Sequence, residues 1–432
     1  MKSKKTVLSH FTRKNFQVLI RALLVGFMAL HRQAKAQSVL APTPATPDPT
    51  PPAMQQANEM DVFATPPQTE AEPFKWGPVT LRPHPFYQFL YADGIQAANN
   101  TAANSTIQTI SPGALLQVGT HWSLDYLPLW TIYSNNQFTD NFGQTAKLVG
   151  GTVYGDWVLG LIESYSEIDA PSTVTASQTR TETISSALNG SYTINSKMSM
   201  DLTLNQSYVK ADQFSSYSEW STMDWLNYQF FPRLNVALGA GGGYDDEASS
   251  PDMTFQQFQG RVNWRATDKI SFQVRGGVEI RQFLSSGSSS TNSVAGSTTS
   301  PLVNPIFEAA IQYQPFEQTR LSITGQRVVS ASYLQQSQVT ETIGVTADLN
   351  QRLLGRYFLD LTGGYQMVKY VSSAPSTPNR DDDIYSFSAR LSRTFLKRGT
   401  IAVLYQISED SSSQSIYNQT SHQVGFQIGY SY

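Results

Sequence analysis

The sequence predicts an all-β fold: a closed antiparallel transmembrane β-barrel of about 18 strands, with short turns at one end and long loops at the other. Three observations predict it. Apolar and polar residues alternate with a period of two from Lys75 onward, the signature of half-buried strands. Tight turns and long Ser-, Thr- and Gly-rich loops take turns along the chain, as they do in outer-membrane barrels. The chain then closes on "HQVGFQIGYSY". There Val424, Phe426, Ile428, Tyr430 and Tyr432 share one face, and Gln423, Gly425, Gln427, Gly429 and Ser431 share the other.

The chain has 432 residues, no cysteine and a formal net charge of −3. Charged residues make up 15%, against about a quarter in ordinary soluble domains. The start is basic (Lys2, Lys4, Lys5, Arg13, Lys14), an apolar run spans Ala22 to Leu30, and "AKAQ" follows. That order reads as a secretory signal peptide over 1–36, cleaved before Gln37. The apolar run is too short for a spanning helix. Residues 1–36 hold eight of the 30 Lys and Arg and none of the 33 Asp and Glu. The remainder therefore has 22 basic against 33 acidic residues, net −11. That balance disfavours a nucleic-acid partner, which wants a basic face.

Residues 37–74 are rich in Pro and lack apolar periodicity, so they read as an extended, disordered periplasmic linker. At ~3.1 Å per residue it could reach on the order of 100 Å.

The barrel is expected over 75–432. The alternation places strands at 79–91, 107–119, 122–134, 144–154, 156–168, 181–194, 197–209, 218–231 and 234–244. It continues at 253–266, 269–283, 304–314, 319–330, 338–349, 356–370, 383–395, 400–407 and 420–432. The count is even, with 16 as the lower bound, so both ends lie on the periplasmic side. Pro83 and Pro85 are awkward in a paired strand and predict an irregular lower part of the first strand. The phase is ambiguous around Glu163 and Asp224, which fall among apolar neighbours. Aromatics gather beside the short turns, where a membrane-interface girdle belongs: Trp122, Trp157, Tyr192, Trp264, Phe272, Tyr313, Tyr357 and Tyr430.

Several stretches carry a family resemblance: "GPVTLRPHPFYQFLY", "ISPGALLQVGTHWSLDYLPLWTIYS", "EWSTMDWLNYQFFPRL", "ATDKISFQVRGGVE", "NPIFEAAIQYQPFEQT" and "FLKRGTIAVLYQ". They resemble the outer-membrane beta-barrel porin family of the "porin 2" type, over roughly 75–432. The resemblance implies an outer-membrane barrel, with some members associated with exopolysaccharide export, and it brings no catalytic motif. It also implies that Phe426, Ile428, Tyr430 and the closing Tyr432 form the signal read by the barrel-assembly machinery. The usual pattern ends in Phe, where this chain has Tyr.

Beyond the signal peptide only His84, His121 and His422 remain, without metal-ligand spacing, so neither a metal nor a cofactor is expected. No Gly-flanked nucleophile accompanies them, and no enzymatic activity is expected. "GAGGGYDD" lacks the Lys of a phosphate loop and reads as strand-end glycines.

Arg261, Arg265, Arg275 and Arg281 share the inward phase of adjacent strands, with Arg320 and Arg390 inward on later ones. Asp201, Glu279, Glu308 and Asp348 supply opposite charge. A charge at mid-bilayer on the lipid face would cost ~2–4 kcal/mol, so these belong inside. Two readings stay open: a transverse field selecting solutes by charge, or ion pairs that tie strands together. The 284–303 loop is the candidate for an inward constriction or a plain external loop. The expected function is passive diffusion of small hydrophilic solutes, with outer-membrane lipids around the barrel. The alternative is an accessory barrel of polysaccharide export or surface attachment, acting with periplasmic partners through the Pro-rich segment. Inward amides at Gln259, Gln273, Asn263 and Gln312 suit saccharides in either case.

Overall fold

The computed structural model describes residues 74–97, 101–172, 175, 177–212, 214, 216–247, 252–284, 301–332, 338–372, 380–396 and 398–431. The signal peptide, the linker up to residue 73, most of the 284–303 loop and Tyr432 lie outside the described residues.

Nineteen strands form one sheet. They are β1 (Phe74–Trp76), β2 (Val79–Ala97), β3 (Thr101–Val118), β4 (Trp122–Tyr133), β5 (Asn141–Tyr154), β6 (Trp157–Ser172), β7 (Ser177–Asn195), β8 (Met198–Ala211), β9 (Ser216–Phe231) and β10 (Leu234–Glu247). There follow β11 (Met253–Arg265), β12 (Ile270–Phe283), β13 (Leu302–Phe316), β14 (Thr319–Ala331), β15 (Gln338–Leu353), β16 (Tyr357–Ser372), β17 (Arg380–Phe395), β18 (Gly399–Ser412) and β19 (Gln419–Tyr430). Each of β2 to β19 pairs antiparallel with its chain neighbours, and β19 returns to β2 with Phe426 opposite Phe89. The result is a closed barrel of eighteen strands. β1 is a short lead-in hairpinned onto the foot of β2.

Turns of two to four residues join the strands at one end (the turn end), and loops of three to eighteen residues join them at the other (the loop end). Several turns need left-handed backbone. Gly119 and Gly155 supply it at φ 62° and 58°. Leu354 and Gly355 sit at 49° and 70°, the two positive φ values of a type I′ hairpin turn.

The strands run further at the loop end than the alternation suggested. β2 continues to Ala97, β3 starts at Thr101 and β18 ends at Ser412. Ser-, Thr- and Asn-rich segments still pair there, because ladder bonds do not depend on apolar side chains. The expected irregularity at Pro83 and Pro85 does not occur: β2 is continuous and pairs in register with β3. On its other side β2 pairs β19 from Phe86 to Asp93 and β1 from Val79 to Leu81, leaving 82–85 without a ladder. A stretch with one free side is where prolines cost least.

The outer face carries exposed apolar side chains around the wall, including Leu238 (75% exposed), Val403 and Phe258. Such a surface calls for lipid, since soluble monomers rarely expose contiguous apolar patches of that extent. The core is unusual for a barrel because it lies inside, at the loop end. There Val209, Ala211, Tyr217 and Met253 of β8, β9 and β11 pack with Val329, Ala331 and Val339 of β14 and β15. The β13–β14 ladder stops at Phe307–Arg327 while β15 stays paired with β16 to its end, so above that point the sheet parts beside β14 and the β14–β15 end leans over the lumen from its β16 side. On another arc, β3 pairs β4 only up to Ile107–Tyr133. The tips of β2 and β3 then pack Ala92, Ile95, Ala97 and Ala103 against Tyr133 and Phe138. β2 also reaches β6 and β7, which are not its sheet neighbours.

Candidate functional site: the barrel lumen

Strand alternation decides what faces the lumen, and register aligns it into rungs. Near the turn end Gln229, Asn235, Asn263 and Gln273 stand side by side across β9 to β12. The next rung carries Asn227, Ala237, Arg261, Arg275 and Glu308. A cavity of about 410 Å³ opens at the turn end beside Gln229, Asn263, Arg265, Gln273 and Gln312.

The two adjacent arginines are held by carboxylates. Arg261 Nη2 donates to Asp201 Oδ2 at 3.1 Å and to Asn227 Oδ1 at 2.7 Å, with its guanidinium 4.5 Å from the Trp225 ring centre. Asp201 also accepts from Ser191 and Asn227. Arg275 Nη2 meets Glu308 Oε2 at 2.5 Å. Higher up, Arg281 donates from Nη1 to Asp245 Oδ2 at 2.7 Å and from Nε to Glu279 Oε1 at 2.9 Å. All three side chains are at most 1% exposed. Arg281 Nη2 reaches the Val329 carbonyl of the inward-leaning β14, and its guanidinium lies 4.7 Å from the Phe255 ring centre. The hairpin end covers this cluster from the lumen side.

On the far arc Arg390 stands opposite Asp360 in register. Asp348 accepts from Thr362 Oγ1 at 2.9 Å and Ser322 Oγ at 3.3 Å. Arg265 and Arg320 are exposed near the turn end, Arg320 making a long contact to Gln312. Thus the lumen arginines do not form a uniform basic strip. Those deep in the wall are carboxylate-bound, and the exposed ones cluster at the turn-end mouth.

Sequence reasoning missed a second buried cluster at the loop end. Arg380 binds Asp382 and lies between the rings of Tyr370 and Tyr417, with Asp410 buried close by in register with Ile384. The strand expected at 383–395 begins at Arg380, so this cluster sits just ahead of its expected start. The alternation of Arg380, Asp382 and Ile384 was the signal available. Sequence reasoning singled out His84 without its partner: His84 Nε2 is 2.7 Å from Asp125 Oδ1. Gly113 opposite leaves room for that ring, since a Cβ there would lie 2.6 Å from His84 Cε1. His422 points outward against Tyr405, and His121 lies in a turn.

The structure places Trp122, Trp157, Trp264, Tyr313 and Tyr357 on the outward face beside the short turns. Trp157 pairs with Tyr192 at 4.9 Å and Trp264 stacks on Phe272 at 5.4 Å. An upper row went unnoticed in the sequence: Trp130 with Phe142, and Tyr365 with Tyr385. Phe426, Ile428 and Tyr430 face outward on β19, and Phe426 stacks on Phe89 at 5.6 Å across the closing seam.

No family model matches the chain, the "porin 2" type included, and no curated protein matches it. Solved structures that it is similar to include OccK2 (OpdF) of Pseudomonas aeruginosa, at TM-score 0.43 and 11% identity over 81% of this chain and 98% of that one. OpdQ of the same organism gives 0.40 and 10% over 82% and 97%. The siderophore receptor PirA, also from Pseudomonas aeruginosa, gives 0.39 and 9% over 84% and 81%.

Proposed function

We propose that the chain is an outer-membrane channel of porin type, through which small hydrophilic solutes diffuse passively, and not an enzyme. One observation carries the reading: a closed eighteen-strand wall, apolar outside, with hydroxyls, amides and paired charges inside. Eighteen strands enclose more space than their own side chains fill. The hairpin ends of β2–β3 and β14–β15 narrow the loop-end mouth, and the amide rung with Arg265 and Arg320 lines the other.

The selectivity roles divide by pairing. Arg261, Arg275, Arg281 and Arg390 act chiefly as strand ties, facing Asp201, Glu308, Glu279 with Asp245, and Asp360 in turn, while Asp348 is held by the Ser322 and Thr362 hydroxyls. Arg265 and Arg320, exposed to the aqueous mouth, set the preference for solute charge. Assembly through the C-terminal aromatic face, insertion among outer-membrane lipids and export by the N-terminal signal belong to the same proposal. No described residue favours the polysaccharide-export reading over this one.

The test is single-channel conductance of refolded protein in a planar bilayer. Discrete small steps support a narrowed channel. A correctly folded barrel that never conducts refutes it.

A further inference from the structure

The outer wall is not apolar everywhere. On β17–β19 and β2–β3 it presents Phe387, Val403, Phe426, Phe89 and Ile110, without a charge at mid-height. On β6 to β9 the same height is polar. Glu163 is the seventh residue of β6, and in register beside it stand Ser186 and Gln206, all on the outward face with Leu161, Leu188 and Leu204. Ser186 Oγ donates to Gln206 Oε1 at 3.3 Å. On β9, Asp224 faces outward between exposed Leu226 and Thr222, and accepts from Thr222 Oγ1 at 3.1 Å. A polar strip continues upward through Tyr165, Gln144 and Glu167 to Arg180, all hydrogen-bonded to one another through the Glu167 carboxylate. These are the two places, Glu163 and Asp224, where the sequence pattern had no clear phase.

Carboxylates and an amide facing hydrocarbon at mid-height are costly unless another surface receives them. The Ser186 and Thr222 hydroxyl protons are already given to Gln206 and Asp224, so the strip offers a partner the Gln206 amide nitrogen as donor and the Glu163 and Asp224 carboxylates as acceptors. Across a two-fold axis near β7, β8 of one copy meets β6 of the other, which sets Gln206 against Glu163. Barrels in one membrane share orientation and depth, which brings the strip of a second copy to the same height. The leucines beside it supply apolar packing. We propose that β6 to β9 form the face through which this chain associates with a second copy of itself in the membrane.

The chain has no cysteine, which makes the test direct. Leu188, 51% exposed at the centre of the strip, is changed to Cys. Val403, 57% exposed on β18, is changed to Cys as a control. Each is oxidised in isolated membranes, with folding checked by heat-modifiable gel mobility. The expected result is a disulfide-linked dimer several-fold more abundant for L188C than for V403C, and reduced several-fold when Glu163→Leu and Asp224→Leu are added. No dimer from folded L188C, equal dimer from both, or an adduct of a different mass would overturn the proposal. The readout is independent of conductance, so it stands or falls apart from the channel reading.

Discussion

Arg281→Met removes the single cation that three elements share. In the native wall this guanidinium contacts Asp245 at 2.7 Å, Glu279 at 2.9 Å and the Val329 carbonyl at 3.4 Å, all with essentially no solvent. Taking one partner from a buried ion cluster leaves uncompensated charge and typically costs about 3–5 kcal/mol. The barrel has a cheaper response than global unfolding. The β14–β15 hairpin end, unpaired on its β13 side, can swing off the cluster about its continuous ladder with β16 and let water reach the two carboxylates. A shift of about 3 kcal/mol corresponds to a hundredfold change in the closed-to-open ratio at about 1.4 kcal/mol per decade. Single-channel recording of R281M should therefore show larger or longer open steps than the parent, with cation preference increased by the freed carboxylates. A urea titration of folded protein in detergent should show a lower midpoint. If conductance and midpoint are both unchanged, Arg281 does not hold the hairpin end and the account of the narrowed mouth is wrong.

Gly113→Ala places a methyl against His84 and should displace the ring from Asp125, costing about 1–3 kcal/mol by overpacking, read as a urea midpoint shift. Arg265→Gln with Arg320→Gln removes exposed charge at the turn-end mouth. Reversal potential in a salt gradient should move toward cations, and no movement would remove these two from selectivity. Phe426→Ala deletes the stack on Phe89 at the seam, about 0.5–1.5 kcal/mol beyond area, and should lower the folded fraction seen by gel mobility. Leu354→Gly relieves a left-handed leucine in an exposed turn and should raise the unfolding free energy by about 1 kcal/mol, read as a higher urea midpoint.

Strand existence was legible because lipid and lumen impose the same two-residue period everywhere. Gln259, Arg261 and Asn263 against Phe258, Val262 and Trp264 needed no tertiary knowledge. The pairing of the arginines was less so. Arg261 and Asp201 are 60 residues apart, and only the rung order across β8 to β11 brings them together. The inward lean of β14 and β15 was hidden altogether. Val329, Ala331 and Val339 carry the phase of a lipid-facing row, and only the end of the β13–β14 ladder turns that face onto the inner wall. Glu163 and Asp224 were visible as exceptions, but alternation alone cannot say whether an exception is a slip of register or a wet patch on a dry wall.

The seam between β19 and β2 has a kinetic meaning. Seventeen of the eighteen barrel ladders join chain neighbours, so each can form as a local hairpin. One contact across the seam, from Gln419 Nε2 to the Gly94 carbonyl, spans 325 residues. Closing a loop of that length costs an entropy of about 5 kcal/mol by (3/2)RT ln n. Closure is thus the one step that needs the whole sheet curled before its bonds repay it. Until then the chain presents two unpaired edges, each a template for a neighbouring chain. The aromatic contact of Phe426 with Phe89 sits at the place where that exposed interval ends.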